Sequence, residues 1–250
     1  MSKQSLVVIV PTYNERNSVS EFFTRLAESL LEIDKSGDFR TAILNVDDNS
    51  PDGTASIIRS FNLPNFHQII RSEKAGLGPA YIEGFHWALD QGFDLIVQMD
   101  ADNSHHPEQL TDLLAKADSK SIVLGTRWMP GGRIENWPWQ RRFLSRFGTF
   151  CAAWAIGSTL RDLTTGYRII GREVLVGLDL GSINSKGYGF QIELVQAALA
   201  CETQIIEVPI TFTERTTGRS KMSSGIVLEA AKSCLGWGFS RITRTGMYRR

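Results

Sequence analysis

The feature that most constrains the fold of this chain is a series of apolar runs, each ending abruptly in polar residues. Residues 6–10, Leu-Val-Val-Ile-Val, contain no polar position and stop at Pro11. A half-exposed strand alternates apolar with polar residues. An unbroken aliphatic run is instead buried on both faces, as in the interior of a parallel sheet. Residues 41–46 read as the next strand and end at Asp47 and Asp48; residues 66–70, 95–99 and 121–124 follow. Between them, residues 19–33 and 80–89 space their apolar side chains as helices do. Strands alternating with helices predict an α/β fold, with a mostly parallel central sheet flanked by helices. Ligands of such sheets bind in the crevice beyond the carboxyl ends of the strands.

The polar motifs all fall at that edge. Thr12, Tyr13, Asn14 and Glu15 follow the first strand, Asp47 to Ser50 the second, Arg71 the third, Asp100 and Asp102 the fourth, Thr126 and Arg127 the fifth. Acidic residues are common in turns, so Asp100-Ala101-Asp102 alone is weak. Five consecutive strand ends carrying such groups favour one shared site. Two carboxylates one residue apart suit a hard divalent cation, Mg²⁺ or Mn²⁺, which prefers oxygen ligands and commonly bridges to a diphosphate. Gly76-Leu77-Gly78 begins like a dinucleotide fingerprint, but Tyr81 stands at the third glycine position and no fingerprint follows the first strand. Neither a phosphate-binding P-loop nor a nucleophile elbow is present. Cys151, Cys201 and Cys234 are too scattered for a disulfide framework or a zinc site, which fits a reducing, cytosolic setting.

The second half is less regular. Residues 128–140 are rich in Gly, Pro and Trp and read as a loop. Phe143, Phe147, Phe150 and Trp154 then recur at helical spacing beside Arg141, Arg142 and Arg146. Such a stripe faces a core or lies in a membrane interface with its arginines among headgroups; the sequence leaves both open. Residues 187–200 read as a loop entering a helix, 205–212 as a strand, 214–224 as a mobile connection and 226–237 as a last amphipathic helix. From Arg215 onward eight basic residues stand against Glu229 alone, although the whole chain is formally neutral. The expected organisation is a catalytic domain over residues 1–224 and a basic helix or tail over 225–250. No signal peptide is apparent, and no stretch approaches the roughly 20 apolar residues of a membrane span.

Seven motifs occur in order: PTYNE at 11–15, VDDNSPDGT at 46–54, GLGPAYIEGF at 76–85, MDADNSHHPE at 99–108, GTRW at 125–128, DLTTGYR at 162–168 and GYGFQIEL at 187–194. The set resembles the polyprenyl- or dolichyl-phosphate mannosyltransferases of glycosyltransferase family 2, which have the GT-A fold of nucleotide-diphospho-sugar transferases. The resemblance covers nearly the whole chain. It implies an inverting enzyme that moves mannose from GDP-mannose to a polyprenyl monophosphate; the alternative is a glucosyltransferase using UDP-glucose. Asp100 and Asp102 would hold the metal that stabilises the departing diphosphate. Pro11, Tyr13 and Glu15 would line the nucleoside pocket, with Asp47 and Asp48 near the base or ribose. Some relatives carry Gln where this chain has Ser104, so water or diphosphate oxygens must complete the metal shell. His105 and His106 would shape the loop before Pro107.

A phosphate monoester already carries an ionised oxygen, its second pKa being about 6, so no general base is needed. Cations that hold the phosphate in line matter more: Arg127 first, then Arg141 or Arg142, with Arg219 and Lys221 closing over it. Asp162, Arg168 and Glu193 would buttress the acceptor side, contact sugar hydroxyls or form structural ion pairs. The lipid tail would stay in the bilayer, with the enzyme peripheral on the cytosolic face through the aromatic stripe and basic tail, or through a separate membrane-anchoring protein. A nucleic-acid partner is not expected, because the tail's aromatics are sparse and no recognised motif appears.

Overall fold

The computed structural model describes residues 3–61, 63–185, 187 and 189–214. Arg219, Lys221 and the expected helix over 226–237 lie outside these residues. Strand β1 (Gln4–Thr12) sits mid-sheet with Leu6 to Val10 fully buried. Leu6, Val8 and Val10 face helix α1 (Val19–Ser36), which presents Phe22, Phe23, Leu26 and Leu30 to them. Val7 and Ile9 point to the opposite face. Each aliphatic side chain so buried contributes roughly 1.5–3 kcal/mol, and the 3.6-residue spacing of α1 makes its apolar stripe match. Gly37, at φ 90°, ends the helix in the left-handed conformation that favours glycine.

Strand β2 (Phe39–Asp47) pairs with β1 in parallel, helix α2 (Thr54–Ser60) follows, and strand β3 (Phe66–Ile70) pairs with β2. Helix α3 (Leu77–Asp90) crosses back and delivers strand β4 (Leu95–Gln98) to the other side of β1. Two glycines seat α3 closely. A Cβ at Gly84 would meet Ile9 Cγ2 at 2.8 Å, and one at Gly78 would meet the Ser185 carbonyl at 2.3 Å. Helix α4 (Leu110–Leu114) leads to strand β5 (Ser121–Thr126). A short strand β6 (Arg133–Glu135) interrupts the expected loop, and helix α5 (Trp139–Ile156) carries the aromatic stripe. Strand β7 (Arg168–Gly171), helix α6 (Arg172–Gly177), helix α7 (Gly189–Ala200) and strands β8 (Gln204–Pro209) and β9 (Thr211–Thr213) complete the described chain.

The sheet order is β3-β2-β1-β4-β7-β5-β8, and β6 pairs with β9 in a separate ribbon. Every pairing in the main sheet is parallel except those of β7, which lies antiparallel between β4 and β5. The mostly parallel, helix-flanked α/β architecture is thus as expected. The antiparallel strand is new, being four residues long and starting on the last residue of a polar motif. The expected strand over 205–212 is two strands, one in the main sheet and one in the ribbon.

Candidate active site

At the carboxyl edge, β1 and β2 end side by side, and Thr12 and Asp47 are register partners. Asp47 is fully buried and accepts hydrogen bonds from Thr12 Oγ1 at 2.6 Å, Ser50 N–H at 2.7 Å and Ser50 Oγ at 2.8 Å. Its carboxylate therefore braces the turn. Asp48, the adjacent residue, points elsewhere. Arg71 Nη1 donates to its Oδ1 at 2.6 Å and the Gly76 N–H to its Oδ2 at 3.0 Å, while Arg71 Nε reaches Glu83 at 2.8 Å. The pair that sequence left side by side is thus divided, one carboxylate holding a turn and the other tying β3 to the start of α3. Pro11 is half-buried at the end of β1. Lys74 Nζ lies 4.0 Å from the centroid of the Tyr13 ring, a cation–π contact. Glu15 receives a hydrogen bond from Ser18 Oγ at 3.2 Å, and its N–H donates to Thr54 Oγ1 at 3.0 Å.

Asp100 stands two residues past the end of β4, after Met99, and Asp102 is buried just beyond Ala101. The Ser104 N–H donates to Asp102 Oδ1 at 3.0 Å, and Tyr81 Oη donates to Asp100 Oδ1 at 3.4 Å. Behind them His105 is almost fully buried, its ring centroid 5.3 Å from that of Tyr167 and 5.5 Å from that of Phe212. Its Nδ1 accepts the Asp100 N–H at 3.3 Å, so the neutral ring carries its proton on Nε2. Burial pushes the His105 pKa down to about 4. His106 receives Arg25 Nη2 on Nδ1 at 3.1 Å and meets Thr213 Oγ1 with Nε2 at 2.9 Å. Both imidazoles hold the loop, as expected. Among the described residues no three His, Cys, Asp or Glu side chains converge as a metal cluster.

Arg127, just past β5, is buried against Asp162: Nε to Oδ2 is 2.7 Å, Nη2 to Oδ1 is 2.8 Å, and the Arg127 N–H donates to the same carboxylate at 3.1 Å. Its guanidinium lies 5.1 Å from the Phe212 centroid and 5.6 Å from that of Trp137. Arg141 stacks on the other end of this group, 4.2 Å from the Trp137 centroid, and pairs with Glu214. Arg142 is exposed and caps the Ile134 carbonyl. Arg168 is fully buried and donates to the carbonyls of Thr165, Gln191 and Leu163 at 2.8–2.9 Å; burial lowers its pKa to about 9. Glu193 accepts the Ser185 N–H at 2.9 Å. Of the residues grouped as acceptor-side, Asp162 is thus an orienting partner of Arg127, and Arg168 locks main chain around β7.

Sequence reasoning missed Tyr81, Trp137, Gly166 and Phe212. Three of these lie in motifs or strands that periodicity flags without assigning a role, and Trp137 lies in a stretch read only as loop.

The glycosyl transferase family 2 model matches residues 7–177. The undecaprenyl-phosphate mannosyltransferase of Micrococcus luteus is 43% identical, over 94% of this chain and 94% of that protein. The polyprenol monophosphomannose synthase of Mycolicibacterium smegmatis is 41% identical, over 94% of this chain and 87% of that protein. Among solved structures, glucosyl-3-phosphoglycerate synthase from Mycobacterium tuberculosis, in complex with Mn²⁺, UDP-glucose and phosphoglyceric acid, superposes with a TM-score of 0.65 at 16% identity, covering 95% of this chain and 79% of that one. A mannosyltransferase from Pyrobaculum calidifontis in complex with GDP-Man and Mn²⁺ gives a TM-score of 0.62 at 20% identity, covering 99% of this chain and 66% of that one. These structures share the fold. The family match and the two relatives fix the lineage: the chain belongs to glycosyltransferase family 2, alongside the polyprenyl-phosphate mannosyltransferases.

Proposed function

We propose that this protein transfers mannose from GDP-mannose to a polyprenyl monophosphate, with inversion at the anomeric carbon. The observation that carries the reading is similarity above 40% to two proteins named for mannosyl transfer to a polyprenyl phosphate, each spanning 94% of this chain. Both relatives are named for mannose, which supports mannose over the UDP-glucose alternative.

Asp100 and Asp102 fit a hard divalent cation, Mg²⁺ or Mn²⁺. Both donors are carboxylate oxygens, and the missing side chain at Gly166 leaves room beside them: a Cβ there would lie 3.0 Å from Asp100 Oδ2. When bound, the cation supplies charge neutralisation for the departing diphosphate. The nucleoside occupies the edge formed by Pro11, Tyr13, Glu15 and Asp48, with Asp47 bracing it from beneath. Asp162 holds Arg127 by two parallel hydrogen bonds, so the cation that meets the acceptor phosphate is oriented beforehand. Arg141 and Arg142 are assigned to the same phosphate, as are Arg219 and Lys221, which lie outside the described residues. The ionised acceptor phosphate attacks without a protein base, and a single displacement on an α-linked donor yields a β-linked product.

The lipid tail remains in the bilayer. Phe143, Phe147, Phe150 and Trp154 of α5 are each more than half exposed, as are Trp139 and Leu144. Exposed Arg142 and Arg146 are interleaved with them. Among the described residues no helix is long and apolar enough to cross a membrane. An apolar face flanked by arginines fits an anionic leaflet, which brings the enzyme to the cytosolic face by itself or beside a membrane-anchoring protein.

The test is radiolabelled transfer from GDP-mannose and from UDP-glucose to a polyprenyl phosphate in liposomes, with Mg²⁺, Mn²⁺ or EDTA. Lipid-linked mannose that disappears in EDTA is expected. Transfer only from UDP-glucose would change the donor, and activity undiminished in EDTA would remove the metal assignment.

A further inference from the structure

We infer that Tyr81 is a positioning residue for the cation-binding carboxylate, its hydroxyl holding Asp100 Oδ1 and so fixing the orientation of the group that takes the metal. The inference rests on the reading of Asp100 and Asp102 as the cation site.

Three residues converge on Asp100, one from its own loop and two from distant parts of the chain. His105 Nδ1 accepts its main-chain N–H. Gly166, just before β7, lies so near its carboxylate that an added Cβ would stand 3.0 Å and 3.3 Å from the two oxygens. Tyr81, on the first turns of α3, supplies the hydroxyl at 3.4 Å from Oδ1. Such outer contacts set the orientation of a ligating carboxylate, and their loss typically costs 10–100-fold in metal affinity.

The seating of Tyr81 is built into the fold. Gly84 lets α3 lie against Ile9, and Gly78 lets it lie against Phe190 and the Ser185 carbonyl. The Tyr81 ring is completely buried and stacks on Phe190 with centroids 5.9 Å apart and planes 5° from parallel. A phenol placed only for packing needs no hydroxyl; Phe85 and Phe190 complete the same stack without one.

The experiment measures Mn²⁺ binding, in the presence of GDP, from the loss of the free-ion electron paramagnetic resonance signal. It compares the full chain with Tyr81→Phe, Asp100→Asn and Phe190→Leu, and records GDP binding in EDTA and thermal midpoints alongside. Tyr81→Phe should weaken Mn²⁺ binding about tenfold and raise the Mn²⁺ concentration needed for half-maximal transfer, with GDP binding in EDTA unchanged. Phe190→Leu disturbs the same stack without touching Asp100, so it should lower the midpoint and leave Mn²⁺ affinity alone. If Asp100→Asn abolishes Mn²⁺ binding while Tyr81→Phe binds normally, the role of Tyr81 is overturned and the cation site stands. If Asp100→Asn itself binds Mn²⁺ normally, the cation site is the part that fails. Should Tyr81→Phe not fold, a fluorotyrosine placed at position 81 keeps the shape and hydroxyl. Its fluorine resonance should shift when Mg²⁺ is added with GDP, and a resonance that stays put would overturn the proposal.

Discussion

Asp162 and Arg127 show how much one residue's role depends on a partner 35 positions away. Both are buried, and neutralising one member of a buried ion pair leaves the other charged and uncompensated, a loss of about 3–5 kcal/mol. Asp162→Asn should therefore lower stability by about that much in urea unfolding. It should also slow mannosyl transfer more than it weakens GDP binding, because Arg127 is proposed to face the acceptor rather than the nucleotide. Asp102→Ala should abolish transfer while the protein still melts cooperatively; full residual activity would remove the metal assignment. The placement of Asp100, Asp102 and Arg127 at one sheet edge was legible from strand ends and motif order. The fork from Asp162, the division of labour between Asp47 and Asp48, and the hydroxyl of Tyr81 were not, since each is a contact between segments distant in the sequence.

At the scale of elements, α5 and α3 behave oppositely although both carry aromatic stripes. In α3 the glycines remove side-chain bulk, so Tyr81 and Phe85 sink into the core. Gly84→Ala forces a methyl group to within 2.8 Å of Ile9 Cγ2 and should cost about 1–3 kcal/mol of overpacking, measurable as a lower urea midpoint. In α5 the small residues Ala152, Ala153 and Ala155 face inward with Thr149 and leave the aromatics outside. Replacing Phe147 and Trp154 together with Ser should then leave stability within about 0.5 kcal/mol and weaken liposome binding at least about tenfold, given the roughly 1.5–3 kcal/mol that each large apolar side chain contributes when buried. Unchanged liposome binding would separate this face from the membrane. Periodicity identified the α5 stripe but not its direction, because an apolar stripe looks the same to a core and to a lipid surface.

For the molecule as a whole, the pH dependence of stability follows from imidazoles kept neutral. His105 has a folded pKa of about 4 against an ordinary 6.5, and burial lowers His106 as well. A group with depressed folded proton affinity binds more protons when unfolded. Its contribution is thus complete above about pH 6.5 and is lost as pH falls toward 4, on the order of 3 kcal/mol for His105. Urea midpoints should fall through that window, and His105→Asn should flatten the drop; an unchanged profile would mean that His105 titrates normally. The amino-acid sequence by itself determined strands β1 to β5 with helices α1 and α3 between them, the parallel character of β1 to β4, and the edge at which acidic and basic residues gather. Those properties are local, carried by aliphatic runs, helical spacing and the residues that stop them. Only the tertiary structure decided that β7 runs antiparallel between β4 and β5, that Arg127 is clamped by Asp162 among aromatic rings, and that the apolar face of α5 turns outward. Each depends on which distant segments share a buried space, and four-residue strands and single side chains leave no periodic trace of it.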